Sequence, residues 1–440
     1  MLEHNTTLDI KKILKIWVII ICSLTPLIYL PIVGKFNSYV PRFLFLVLMF
    51  TILFCIIFLN RKQIGRLIDF DIETRLLLVF YVLLVISVFF ALDKQTAIFG
   101  SLSRVEGLLT LTIYFSIFLT SRNIEKIGKK FILVMLLPGA IISIHGILQA
   151  YGIDPIPNHY YFANMLSSNL AFSTMGNPNH LGTYLVLLIP FTIYLYIEKK
   201  HIFGFIFYII MFYALLTTST RGSWIGLFLG LSIYFFFRIR QNRRSGIKDN
   251  KHKYIIIASI ILLVVYSFSS DFNFIARFAS IFLDFIKVVK RSNDVLDAGS
   301  FRLYIWDKVI ELIKSRPFFG VGLDNLGIAF GKYYQLETIN TMGITGLGTV
   351  SKAHNEYLHI AVTSGIPSLI IYLSLVVTIF KKIISRIIHS DIYLPLMASL
   401  VGFYTIGFFN NQVIMFAYLL WAFLGLACSK VIITYDEKGW

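Results

Sequence analysis

The chain has 440 residues, of which 57% are hydrophobic and only 14% charged. That leaves too little polar surface to cover a water-soluble fold, and the apolar residues come in runs of about 18 or more, the length that crosses a bilayer core roughly 30 Å thick. The formal net charge is +17, but its placement gives an orientation signal and excludes a need for nucleic acid as partner.

Taken in chain order, the apolar runs predict an all-α polytopic membrane protein with about twelve transmembrane helices. They fall near 13–33, 43–59, 75–92, 107–121, 131–151, 181–197, 203–219, 222–237, 254–269, 360–380, 392–409 and 412–430. Lys11, Lys12 and Lys15 precede the first run without a small-residue cleavage site after it, which predicts an uncleaved first span. Outside one long loop, Lys and Arg concentrate in the segments that this assignment puts on the side of the two termini. The positive-inside rule therefore expects both termini in the cytoplasm. Cys22, Cys55 and Cys428 all lie within apolar runs and read as small core residues.

Two connections differ from the rest. The outward segment 152–180 contains no Lys or Arg, whereas the inward segment 238–253 carries seven and reads as a solvated linker facing lipid headgroups. Asp69-Phe-Asp71 resembles an acidic pair of metal-dependent sugar transfer, but it falls on the inward side and reads as a solvated turn.

The segment 270–353 is far longer than an ordinary connection, and such loops are usually functional when they are not disordered. It divides the chain into a membrane bundle of spans 1–9 (1–269), an extracytoplasmic catalytic loop (270–353) and a second bundle of spans 10–12 (354–440). Apolar residues recur at helical spacing in Phe278, Ile281, Phe282, Phe285, Ile286 and Val289, and again in Leu303, Ile305, Trp306, Val309, Ile310 and Ile313. Both sets predict amphipathic helices that lie on the membrane or cap the bundle. The Gly-rich tracts 320–325 and 343–348 supply turns.

Three polar residues at the outer boundary call for chemistry. Arg221, in Thr218-Ser-Thr-Arg-Gly-Ser-Trp224, reads either as an interfacial arginine on lipid phosphate or as a guanidinium at the lip of a cavity. Arg302 opens the second loop helix, where backbone N–H groups favour an anion, although Asp297 or Asp307 could simply pair with it. His354 can accept a proton at neutral pH, which suits a general base. His359 is five residues on and does not share a helix face with it. No zinc-ligand spacing occurs, so no metal or other cofactor is expected.

Together these residues resemble a known family. Thr218-Ser-Thr-Arg-Gly-Ser223, then Phe301-Arg-x-x-x-Trp306 continuing to Pro317-Phe-Phe-Gly-Val-Gly322, then Ala353-His-Asn-Glu-Tyr-Leu358 resemble the O-antigen ligase and polymerase family of bacterial envelope enzymes. Gly176-Asn-Pro-Asn-His180 and Arg104-Val-Glu-Gly107 look like further family elements. His354, Asn355 and Gly365 keep the ligase spacing, whereas Ser368 stands where ligases carry Gly, Thr or Tyr.

The resemblance implies a GT-C-like fold in the bacterial cytoplasmic membrane, with the active site extracytoplasmic. It implies an inverting, metal-independent transfer of a glycan from undecaprenyl pyrophosphate to a hydroxyl of a glycan, lipid, wall-polymer or protein acceptor. Arg221 and Arg302 would hold the pyrophosphate, His354 would act as base, and Asn355, Arg104 and Asn177 would support them. Repeat-unit polymerisation by the same residues is the alternative within the family. A lipid-linked glycan flippase or other transporter, and a structural membrane subunit, stay open as readings of another class.

Overall fold

The computed structural model describes residues 2–29, 39–65, 69–153, 155, 169–245, 250–269, 279, 301–342, 350–429 and 433–435. Its helices in the first half are α1 (Leu2–Leu24), α2 (Tyr39–Leu59), α3 (Arg61–Ile64), α4 (Ile72–Phe89), α5 (Lys94–Phe99), α6 (Leu108–Ser121), α7 (Lys129–Ala150), α8 (Pro178–Ile197), α9 (Ile202–Thr217), α10 (Arg221–Ser245) and α11 (Lys251–Ser269). After the long loop come α12 (Arg302–Ser315), α13 (Leu326–Tyr333), α14 (Gln335–Met342), α15 (Glu356–Ser364), α16 (Ile366–Arg386), α17 (Tyr393–Ile406) and α18 (Ala417–Cys428). Two three-residue strands, β1 (Lys126–Gly128) and β2 (Ile433–Tyr435), pair in parallel.

The protein is a polytopic helical membrane protein, and each of the twelve predicted segments coincides with an apolar helix. Among the described residues, seven of these helices are long and apolar enough to cross a membrane, and α6, α9, α17 and α18 are shorter. These are eleven helices, and α1, which covers the first predicted segment, belongs to neither group, so the seven long apolar helices stand below the expected count of twelve. Of the short ones, α6, α17 and α18 are inner helices, whereas α9 exposes Ile202, Phe203 and Ile206. In α18 every residue from Ala417 to Cys428 is buried.

At the centre stands α8, buried on all sides from His180 to Leu195. A helix apolar all round can only be stable inside such a bundle. It contacts α7, α9, α10 and α17. The most extensive pair is α10 with α17, where a Cβ at Gly230 would meet the Ala398 carbonyl at 2.4 Å. Small residues let two backbones approach this closely, as is usual between membrane helices. Cys22 and Cys428 lie in the core as expected. Cys55 does not: it is exposed on α2, a peripheral helix with one buried stripe.

Successive helices alternate in direction, so their connections gather at two ends. At one end charged pairs join neighbouring helices. Asp71 caps α4 by accepting the Thr74 N–H at 3.1 Å, pairs with Arg122 at 2.8 Å and receives Lys382 at 3.2 Å. The expected solvated turn is thus an ion-paired clasp of α4, α6 and α16. Lys382 also reaches the buried Glu73 at 2.9 Å, and Lys199–Asp391 is a further bridge at this end.

At the opposite end α12 to α15 form a small second core over the bundle, built from Tyr304, Ile305, Val309, Leu312, Val321 and Phe330 with Val362 of α15. The predicted amphipathic helix 303–313 is α12, and its buried face meets protein, so it caps the bundle. The other predicted helix, over 278–289, and the Gly343–Gly348 tract lie outside the described residues. The small core also crosses the expected boundary at 353/354, because Val362 belongs to it.

This cap is fastened by backbone bonds. Val321 and Gly322 donate to the carbonyls of Val362 and Thr363 at 2.8 and 3.0 Å, and Ile366 donates to that of Pro317 at 2.8 Å. Gly365 makes the joint between α15 and α16 with φ +91°, and a Cβ there would lie 2.0 Å from the Phe318 carbonyl oxygen. Replacing Gly365 with Ala should cost about 1–3 kcal/mol from backbone conformation alone, with the clash added. Thermal unfolding of the detergent-solubilised variant should show a lower midpoint. An unchanged midpoint would mean that the joint is not built this way.

Candidate active site

Five sequence segments meet at the capped end: the turn before α8, the Arg104–Gly107 turn, the start of α10, the Phe301–Trp306 turn of α12 and the stretch that leads into α15. Each is brought in by a local device that its own residues supply.

The stretch Ser351–Glu356 is held on both sides of His354. Trp306 donates its indole N–H to the Ala353 carbonyl at 2.9 Å. Arg302 and Trp306 lie one turn apart on α12, so the same helix face that holds Ala353 carries the arginine toward His354. Asn355 is the N-cap of α15: its side chain accepts the Leu358 N–H at 3.0 Å and donates to the Phe408 carbonyl at 3.3 Å. The Glu356 N–H donates to the Gly407 carbonyl at 2.7 Å, and its carboxylate accepts the Gln412 N–H at 2.7 Å. Between these ties His354 has φ +49°, a left-handed conformation rare for a residue with a side chain. Such strain persists where the surroundings over-determine it.

His354 is exposed to solvent, with charged groups of its own stretch and of two other segments around it. Partial desolvation first, then the charges of Arg302, Arg104 and Lys352, lower its pKa from 6.5 to about 4. The imidazole is therefore neutral at physiological pH and ready to accept a proton.

Arg104 approaches from the turn between α5 and α6. Its Nε donates to Ser351 Oγ at 3.2 Å and its Nη1 to the Tyr39 hydroxyl at 2.8 Å, with the guanidinium 5.6 Å from the Tyr39 ring centroid. The other face of this assembly is His180, edge-on to Tyr39 at 6.3 Å and within electrostatic reach of Arg104 and His354. Asn177 is the N-cap of α8 and accepts the Asn179 N–H at 2.8 Å, a role that accounts for it as a helix start.

Arg221 is the first residue of α10, and a Cβ at its neighbour Gly222 would lie 3.6 Å from Phe409. Phe409 follows Phe408, whose carbonyl Asn355 holds. Arg221 thus shares the end and the connecting turn with His354, but the guanidinium groups whose charges bear on the imidazole are those of Arg302 and Arg104. Arg104, expected only in support, lies against Ser351, which nothing in a four-residue turn of the sequence shows.

A further group was missed entirely. Lys352 is only 4% exposed and pairs with Glu106 and, at 3.8 Å, with Asp324. Burial opposes its charge, yet Glu106 and Asp324 outweigh that and raise its pKa above the ordinary lysine value. Asp324 accepts both the N–H and the hydroxyl of Ser101, at 2.7 and 2.9 Å. The Lys352 ammonium also lies 3.3 Å from His359 Nε2, which must then accept and leave the proton on Nδ1. Among the described residues no three His, Cys, Asp or Glu side chains come together as a metal site.

The loss of a cap that also ties two segments gives a direct check. Asn355→Ala should destabilise by about 0.5–2 kcal/mol, whereas Asn355→Asp, which keeps the capping oxygen, should recover part of it in the same unfolding measurement. Equal stability of all three proteins would remove Asn355 from this role.

Residues 206–373 match the family described as O-antigen ligase, a stretch that contains Arg221, Arg302, Lys352, His354 and Asn355. Over 216 residues the chain is 25% identical to a ComP-specific O-oligosaccharyltransferase of Acinetobacter baylyi, covering 48% of this chain and 35% of that protein. It is 26% identical over 212 residues to an uncharacterised protein of Haemophilus influenzae, covering 46% of this chain and 49% of the other. The chain thus spans between a third and a half of the length of these curated relatives.

Proposed function

We propose that this chain, whose residues 206–373 match the O-antigen ligase family, transfers a glycan from a lipid diphosphate to an acceptor hydroxyl at the outer face of the bacterial cytoplasmic membrane. One observation carries the reading: a histidine on a strained backbone lies within electrostatic reach of two arginines where the ends of the bundle's helices and its cap converge. The match to an O-oligosaccharyltransferase supports an oligosaccharide as the group moved and an oxygen as its acceptor.

The chemistry follows from the residue types. A guanidinium grips phosphate oxygens through paired N–H donors and keeps its charge at any relevant pH. Arg302 and Arg104, with Arg221 at the same end of the bundle, would hold an undecaprenyl diphosphate and stabilise the negative charge that grows on it as it leaves. The acceptor hydroxyl attacks the anomeric carbon, the bond from that carbon to the diphosphate oxygen breaks with its electron pair, and His354 takes the hydroxyl proton. A single displacement of this kind inverts the anomeric centre and needs no metal. Donor binding also improves the base, since the diphosphate offsets the cations that hold the His354 pKa down. A glycan, lipid, wall polymer or protein supplies the hydroxyl in the ligase reading. A second repeat unit supplies it in the polymerase reading.

With purified protein in proteoliposomes, His354→Ala should insert normally and lose about 10²–10⁴ in rate, and Arg302→Lys should lose most activity although its charge is kept. Normal transfer by His354→Ala would end the assignment.

The pH dependence has a definite sign. A lowered pKa keeps the free enzyme's base neutral into acid, so kcat/KM should hold well below the usual histidine range and fall only toward about pH 4. Arg104→Met removes a cation that opposes protonation and should move that acid limb upward. A wild-type limb near the unperturbed value of 6.5 would contradict the described site.

A further inference from the structure

We infer that Lys352 is a positioning residue for His354, clamped for that task by Glu106 and Asp324. This rests on the reading of His354 as the base. The ammonium lies two residues before the imidazole and draws together stretches far apart in the chain. Glu106 pairs with it through one carboxylate oxygen and accepts the Ile414 N–H at 3.0 Å through the other. Asp324, whose side chain is fully buried, holds Ser101. The Arg104–Gly107 turn, the start of α13, the entry to α15 and the connection into α18 are thereby fixed about one charge.

A purely structural filler at this place would be apolar. Burying an ammonium is costly unless its partners and hydrogen bonds compensate, and apolar residues of similar size often do as well for stability. The charge itself is therefore what the arrangement retains. It lies where a rigid approach to His354 is needed: Ser351 on one side of Lys352 holds Arg104, and Ala353 on the other is tied to Trp306. With Lys352 immobilised, the left-handed turn at His354 has no slack on its N-terminal side.

Lys352 also contributes to the electrostatics. The charged and titratable groups within electrostatic reach of His354 are Lys352 on its own stretch, Arg104 from the turn after α5, Arg302 from α12, His180 from α8 and His359 from α15, while Glu106 acts on Lys352. Removing the ammonium takes away one of three cations that oppose protonation and leaves two carboxylates uncompensated. His354 would then protonate at higher pH and would be less well held.

The test uses the full chain in lipid nanodiscs, a lipid-diphosphate-linked oligosaccharide as donor, and kcat and KM measured across pH. Lys352→Met should lower kcat about tenfold or more with the donor KM little changed, and should move the acid limb of kcat/KM upward. The double variant Lys352→Met with Glu106→Gln removes the uncompensated Glu106 charge. It should regain folded yield yet keep the low kcat, and Lys352→Arg should recover part of the rate. Activity that falls only in step with folded protein, with the acid limb unmoved, would make Lys352 merely structural and overturn the proposal. An active His354→Ala in the same assay would instead remove the base reading on which it stands.

Discussion

A single buried ammonium organises the end of the bundle where the candidate site lies. Three loops and the entry to α15 come from distant parts of the chain and share no regular secondary structure. Without a common partner they would carry buried carboxylates and strained turns with nothing to offset either. Lys352 between Glu106 and Asp324 supplies that partner. The cost of removing three charges from water is offset only if all three meet. The pairing therefore specifies one arrangement of the loops and excludes near alternatives.

From this fixed point the rest of the geometry follows. The entry to α15 can hold His354 in a left-handed conformation because Trp306 grips the residue before it and Asn355 caps the helix after it. The sequence pairs Phe301-Arg-x-x-x-Trp306 with Ala353-His-Asn355 for a physical reason: one turn of α12 delivers both a tether for the histidine's backbone and a guanidinium toward its ring. Gly320 and Gly365 belong to the same economy of space, since the cap passes so close to the end of α15 that side chains would not fit, and Gly322 lies equally close to Ala91 after α4.

Much of this was legible in the sequence. Long apolar runs marked the helices, because hydrocarbon admits no other solution for the backbone. The periodicity of 303–313 marked α12 and its buried face. Helix length was less legible at α17 and α18, where an apolar run records burial in protein as readily as burial in lipid. Within the site, His354, Asn355 and Arg302 stood out by position. Arg104 and Lys352 did not, because a cation in a polar turn looks the same whether it is solvated or enclosed. Only the fold shows that the Arg104 turn lies against Ser351 and that Lys352 is shut away from water. Asp71 failed in the same sense, a turn aspartate that proves to join three helices.

The central claim is that His354 and the surrounding arginines form one electrostatic unit built around a diphosphate. Its most direct test is an NMR titration of the His354 imidazole in nanodiscs, with and without undecaprenyl diphosphate. The expected result is a pKa well below 6.5 in the free protein that rises when the diphosphate binds, and that no longer responds to the diphosphate in Arg302→Ala. A histidine that titrates near 6.5 and ignores the ligand would contradict the claim.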